Sequence, residues 1–315
     1  MKINVTYQNS QNIITECDYS LTQLGFIKHM VTAGQHNEPF FTKLIRLPGL
    51  YLTYIHYMKK SAFYNENRFS EPDISFSDPT QKSQFSNLAG RAIADFLSKK
   101  IDNSSFTVNY EAAMRIQKMP IKCSRPDLLA FRRTDDGKFE QFALEAKGFC
   151  RQSISDKKML EHKKQASSGS IPVDFSVASI SYNLYNSVKC KYYDPKENES
   201  VFDSKLFRML TKSYYNNIFK NIRKYKQHFY KKINNENFYC INMLDLYKKI
   251  YQVYPLHSSL LCLFRERHFF LIVPERLEEY AEGMKEPLST LKGLDEIYDN
   301  EGIYIDNDRI GLAIG

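Results

Sequence analysis

The feature that most constrains this 315-residue chain is a turn between two apolar runs. Ile121 to Arg132 and Lys138 to Phe149 each read as a strand, joined by Thr134-Asp135-Asp136-Gly137. Asp-Gly in that setting favours a hairpin, because glycine takes positive φ without a steric penalty. Helical and extended patterns flank it. Phe85, Leu88, Ala92, Ile93, Phe96 and Leu97 recur at helical spacing up to Lys100, and Phe106 to Met114 reads as a strand. Ser155 to Ala166 reads as a helix with Ser155 as N-cap and Asp156 in its first turn, and Val173 to Tyr182 as a strand, with Val188 to Tyr193 one more. The order is α-β-β-β-α-β, an α/β class.

The second apolar run carries chemistry. Alternation along a strand puts Glu145 and Lys147 on one face, and Leu144 and Ala146 on the other. Phe142-Ala143-Leu144 is apolar on both faces, which predicts a central strand. An antiparallel neighbour would bring Asp127, separated from Glu145 by seventeen residues, alongside. Two carboxylates so placed repel each other unless a cation joins them. A hard divalent ion accepts one or two carboxylates and keeps several waters. Lys147 would orient a water or hold a phosphate oxygen as a compact charge.

Pro126-Asp127 followed by Glu145-Ala146-Lys147 resembles the PD-(D/E)xK, or restriction-endonuclease-like, nuclease superfamily over about 110 residues, Gln81 to Asp194. The resemblance implies an αβββαβ core, Mg²⁺ or Mn²⁺ as cofactor, and hydrolysis of phosphodiester bonds in nucleic acid, DNA before RNA. By the same analogy Asp127, Glu145, Lys147 and Gln165 are catalytic, Asp127, Glu145 and Ala146 hold the metal, and Tyr182 sits nearby. Many members carry a further acid on the helix before the first strand. Asp95 is a substitute if it faces the cleft, and Glu111 on the first strand is another; the third acid stays open.

The core is thereby set at residues 81–195, between an N-terminal accessory region (1–80) and a C-terminal helical and β-hairpin module (196–315). A probable break, Asn65 to Gln81, is polar and holds Pro72 and Pro79. A helix is expected from near Ser20 to before Gly34. Phe202 to Lys232 reads as a long helical region, Leu260 to Val273 as a strand pair, Leu277 to Met284 as a short helix, and Gly302 to Ile314 as a hairpin turning at Asp306-Asn307-Asp308.

Net charge is +8, and it is local: Lys205 to Lys232 holds nine basic residues and no acid. Lys220, Arg223, Lys224 and Lys226 are the candidate nucleic-acid contacts, with Tyr214, Tyr215, Phe219, Tyr225, Phe229 and Tyr230 as aromatic faces for unpaired bases. An amphipathic helix with aromatic core and solvated lysines fits the pattern equally. Lys157, Lys158, Lys163 and Lys164 read as surface charge beside the motif. Seven histidines form no HxH or HxxxH pair, so spacing lends no support to a histidine metal site; His162 lies on the helix after the motif. Phosphate-binding glycine loops and a Gly-x-Ser-x-Gly elbow are absent, which disfavours ATP use and serine hydrolysis.

Six scattered cysteines without zinc spacing read as buried reduced thiols, which suggests the cytoplasm. No apolar run approaches the roughly 20 residues that span a bilayer, so no membrane partner is expected. The expectation is an endonuclease, with restriction or antiviral defence as setting and a homodimer or protein partner in view. The alternative is a catalytically silent nucleic-acid-binding or interaction subunit with the same fold.

Overall fold

The computed structural model describes residues 1–9, 11, 13–35, 50, 53–71, 78–121, 124–193, 201–222, 229–233, 236–244, 269–285 and 302–314. Among them the chain is mixed α/β. A first sheet is built from β1 (Lys2–Gln8), β2 (Ile14–Ser20), β3 (Ser104–Asn109), β4 (Leu128–Arg133), β5 (Phe139–Gly148), β6 (Phe175–Tyr182) and β7 (Lys189–Tyr193). Its seven strands lie in the order β2-β1-β7-β6-β5-β4-β3. β4 and β5 are antiparallel with Leu128 opposite Leu144, and β5 and β6 are parallel with Glu145 beside Ala178. The hairpin between β4 and β5 closes at Gly137, φ +86°, where Thr134 and Lys138 exchange a backbone hydrogen bond.

Helix α2 (Pro79–Ile101) covers one face of this sheet with α1 (Gln23–Thr32) packed on it, and α4 (Asp156–Ala166) covers the other; α3 (Tyr110–Ile116) follows β3. The two faces differ in chemistry. The α2 face is apolar, with Leu144, Ala146 and Val177 in the main core. The α4 face holds a small cluster of Ile154, Met159, Ala178, Ile180 and Tyr182, and by alternation it also carries Glu145 and Lys147. Asp78 caps α2 through Thr80 N, and Ser155 caps α4 through Lys158 N as its sequence suggested.

A second, antiparallel sheet comprises β8 (Phe229–Ile233), β9 (Glu236–Asn242), β10 (Phe269–Pro274), β11 (Ile303–Ile305) and β12 (Gly311–Ile314), in the order β11-β12-β10-β9-β8. α5 (Ser204–Ile222) packs Phe207 against Phe106, Phe131 and Phe139 of the first sheet, and α6 (Leu277–Ala281) packs on α5.

Five expectations change. The strand expected from Ile121 begins only at Leu128, after Pro126, which has no N–H to give a ladder. The strand expected to run from Phe106 to Met114 stops at Asn109, whose side chain caps α3 through Ala112 N; the following Glu-Ala-Ala-Met is good helix sequence. The helix expected to reach Lys232 ends at Ile222, and Phe229–Ile233 pairs as a strand with β9. Aromatic and β-branched side chains favour that pairing. Residues 1–20, set apart from the core by sequence, add two strands to its sheet: β1 runs parallel to β7, with Val5 beside Cys190. Of the cysteines described, Cys190 is buried, Cys240 is half-buried, and Cys17 and Cys150 are exposed; all four are free thiols. Cys123 and Cys262 lie outside the described residues, as do 260–268 of the expected strand pair. The hairpin at Asp306-Asn307-Asp308 forms as read, between β11 and β12. No helix among the described residues is long and apolar enough to cross a membrane.

Candidate active site

Asp127 stands immediately before β4, and its backbone carbonyl accepts from Tyr110 N at 3.1 Å, which ties it to the end of β3. With Leu128 opposite Leu144, the next pair along the ladder is Asp127 and Glu145. Asp127 Oδ2 accepts from Ala146 N at 3.0 Å and from Lys147 Nζ at 2.9 Å. Lys147 Nζ also lies 2.7 Å from Glu145 Oε1. The ammonium thus bridges the two carboxylates. Ala146 meets the group through its amide, while its side chain is buried in the α2-face core.

The two acids differ in environment. Asp127 is half-buried, whereas Glu145 is 0% exposed. Both Glu145 oxygens are buried without a directed hydrogen bond, and Lys147 meets Oε1 as an ion pair at 2.7 Å. Burial first, and then the Asp127 charge, push the Glu145 carboxyl up to about 8, and Lys147 offsets only part of this. The Lys147 ammonium is held above its usual range by the charges of Asp127 and Glu145, which outweigh its burial.

These residues fit a divalent cation. A buried carboxylate with both oxygens unpartnered is costly unless something positive meets it, and the lysine alone does not satisfy it. Among the described residues no three His, Cys, Asp or Glu side chains gather as a metal cluster. An ion here would rest on Asp127, Glu145 and backbone or water oxygens, the sparse protein share that Mg²⁺ accepts.

Gln165 does not touch the acids. Its Nε2 donates to the carbonyl of Arg125 at 3.2 Å, so it fixes the segment that presents Asp127. Tyr182 belongs to the apolar cluster under α4. Neither candidate third acid joins the site. Asp95 is fully buried elsewhere, bound by His29 Nδ1 at 2.6 Å and Thr107 Oγ1 at 2.5 Å and paired with Lys99 at 3.2 Å. Helix geometry explains it: Asp95 is nine residues beyond Ser86, about 180° around a helix, and Ser86 is on the side that meets β5. Glu111 is on α3, not on a strand, and pairs with Arg115 and Arg125.

His162 is the residue spacing rules passed over. One helical turn before Gln165, it is buried, its Nδ1 lies 3.9 Å from Glu145 Oε1, and its Nε2 has no hydrogen-bond partner. Burial and the Lys147 charge lower its pKa, which keeps the ring neutral. A single histidine gives no sequence pattern; only the packing of α4 onto β5 brings it here.

The basic stretch divides. Lys205, Arg208 and Lys212 are exposed on α5, but Tyr214 and Tyr215 are fully buried and donate to Asp308, Tyr214 to Oδ2 at 2.7 Å and Tyr215 to its carbonyl at 2.9 Å. Those two tyrosines are core, so they present no face to bases. Lys220 ends α5 with its side chain outside the described atoms, and Arg223, Lys224 and Lys226 lie outside the described residues. On α4, Lys163 sits over the Tyr193 ring at 3.7 Å and Lys158 pairs with Glu161.

No protein-family model matches this chain, and neither a curated protein nor a solved structure matches it. The site must be read from its own chemistry.

Proposed function

We propose that the chain is a metal-dependent nuclease that hydrolyses phosphodiester bonds in nucleic acid, with DNA the favoured substrate. The observation that carries this reading is the Asp127–Lys147–Glu145 bridge, in which one half-buried and one fully buried carboxylate converge on a single cation. A bound divalent ion would supply Lewis-acid polarisation of the phosphoryl group and a lowered pKa for the attacking water. Asp127 and Glu145 would hold the ion. Lys147 would bind a phosphate oxygen or orient the water. Gln165 keeps Arg125-Pro126-Asp127 in register through its bond to Arg125. A restriction or antiviral role, and a dimer that supplies two such sites for double-strand cleavage, accord with this chemistry.

Cleavage of plasmid and single-stranded DNA in Mg²⁺, Mn²⁺ or EDTA tests it, with wild type compared against Glu145→Ala and Lys147→Ala. Metal-dependent cleavage that both substitutions abolish is expected. Equal cleavage by all three chains would place the activity elsewhere.

A further inference from the structure

Glu145 Oε1 and Oε2 are buried without a directed hydrogen bond, as is His162 Nε2, and it is the other ring nitrogen, Nδ1, that faces Glu145 Oε1 at 3.9 Å. Both side chains are more than nine-tenths buried, at 0% and 7% exposure. A buried carboxylate without directed hydrogen bonds is costly, so Glu145 calls for a further ligand beside Lys147. Among the described residues, Glu145 Oε1 has the Lys147 ammonium at 2.7 Å and the His162 imidazole Nδ1 at 3.9 Å.

Two ligands of one ion, each about 2.1 Å from it, can stand no more than about 4.2 Å apart. His162 Nδ1 and Glu145 Oε1, at 3.9 Å, fall within that limit. The ring is anchored rather than free: α4 packs on β5 and β6, and Phe149 lies against the imidazole with ring centroids 5.8 Å apart. Asp127 meets the Lys147 ammonium at 2.9 Å, and the imidazole is a further donor beside Glu145.

We propose that His162 ligates the same cation as Glu145, so that the centre prefers a borderline divalent ion such as Mn²⁺ over Mg²⁺. This rests on the nuclease reading and names its metal. The reason is donor chemistry. Magnesium takes oxygen almost exclusively, whereas imidazole nitrogen favours first-row transition ions. Nothing about this ligand follows from the Asp127, Glu145 and Lys147 pattern alone.

The test uses the full chain in two measurements. Calorimetric titration with MnCl₂ and with MgCl₂ gives the affinity ratio, and pulsed EPR of the Mn²⁺-loaded protein reports directly on ¹⁴N ligation. Wild type should bind Mn²⁺ at least about tenfold more tightly than Mg²⁺ and show nitrogen modulation, in line with the general preference of imidazole. His162→Ala should lose the modulation and about tenfold in Mn²⁺ affinity, with Mg²⁺ affinity nearly unchanged. His162→Asn, which retains a polar group, serves if the alanine variant does not fold, and the wild-type spectrum needs no variant. Bound Mn²⁺ without nitrogen modulation, or modulation that survives in His162→Asn, overturns the ligand assignment and leaves the nuclease reading standing. Glu145→Gln that binds Mn²⁺ as tightly as wild type, or a wild type that binds neither ion, overturns both.

Discussion

Gly90 and Gly148 meet backbone to backbone where α2 crosses β5. A Cβ on Gly90 would stand 2.3 Å from Gly148 N and 2.4 Å from Lys147 C, and a Cβ on Gly148 would stand 1.9 Å from Ser86 O. The contact is with main chain, which cannot swing aside, and it fixes the strand at the residue next to Lys147. Alanine at either position should destabilise the protein by about 3 kcal/mol, at the upper end of overpacking costs. Chemical denaturation gives the loss, and cleavage should fall with it, because the Lys147 backbone is the part displaced. A variant as stable as wild type would mean that the helix and strand are not held together here.

Glu145 is a stability cost carried for function. Glu145→Gln removes a buried acid whose charge is opposed by burial and by Asp127. In EDTA at pH 8 its melting temperature should exceed that of wild type by a few degrees, about 1 kcal/mol for a chain of this size, while cleavage is lost. Lys147→Ala should act in the opposite sense and melt lower, since both carboxylates lose their shared counter-charge.

The C-terminal hairpin is locked by buried ions. Asp306 pairs with Lys28 at 2.6 Å and Lys99 at 3.2 Å, and Asp308 with Lys28 at 2.7 Å and Lys99 at 3.0 Å. Removing one partner strands the others, so Asp308→Ala should cost about 3–5 kcal/mol, whereas apolar replacement of Lys28 and Asp306 together should cost much less. Thermal melts of the single and double variants decide this. Equal losses would deny the pairing.

The same cluster sets the acid limit. Lys99 and His29 hold the buried Asp95 carboxyl well below its usual range, and Lys28 and Lys99 do the same for Asp306. A depressed carboxylate stabilises above its unfolded pKa, about 3.9, and that stability is lost as pH falls toward the folded value. His29, lowered by burial despite its bond to Asp95, acts in the same direction from about pH 6.5 down. Around these groups lie Tyr214, Tyr304 and Thr107, none of which titrates in this range. Stability should therefore decline on acidification below pH 6.5 and steepen below about pH 4, with Asp306→Asn showing a shallower slope. A pH-independent melting temperature from 7 to 3 would refute it.

Tyr214 gives a clean separation of core from interface. Tyr214→Phe removes the donor to Asp308 Oδ2 and should lower stability by about 1 kcal/mol with nucleic-acid affinity unchanged. Alanine at Lys220, Arg223, Lys224 and Lys226 together should do the reverse, reducing the salt dependence of binding by up to about three to four units of log–log slope. Filter binding across a salt series measures both. Weaker binding by Tyr214→Phe at unaltered stability would return the tyrosine to the interface.

What the sequence determined is local. Alternation placed Glu145 and Lys147 on one face, Asp-Gly closed the hairpin, and Ser155 started α4, because dihedral preference and strand period act over a few residues. Asp127 followed, since a hairpin transmits register across its turn. The remainder was decided by packing. Which face of α2 meets β5 sent Asp95 into a network with His29 and Lys99 instead of the site. The parallel pairing of β1 with β7 drew the N-terminal residues into the sheet, a partnership 185 residues apart that no local pattern records. Tyr214 and Tyr215 became core because Asp308 lies beneath them, and His162 reached Glu145 because α4 crosses back over β5. Side-chain surroundings arise from contacts distant in sequence, and these decide whether a charged or aromatic residue serves the core or the site.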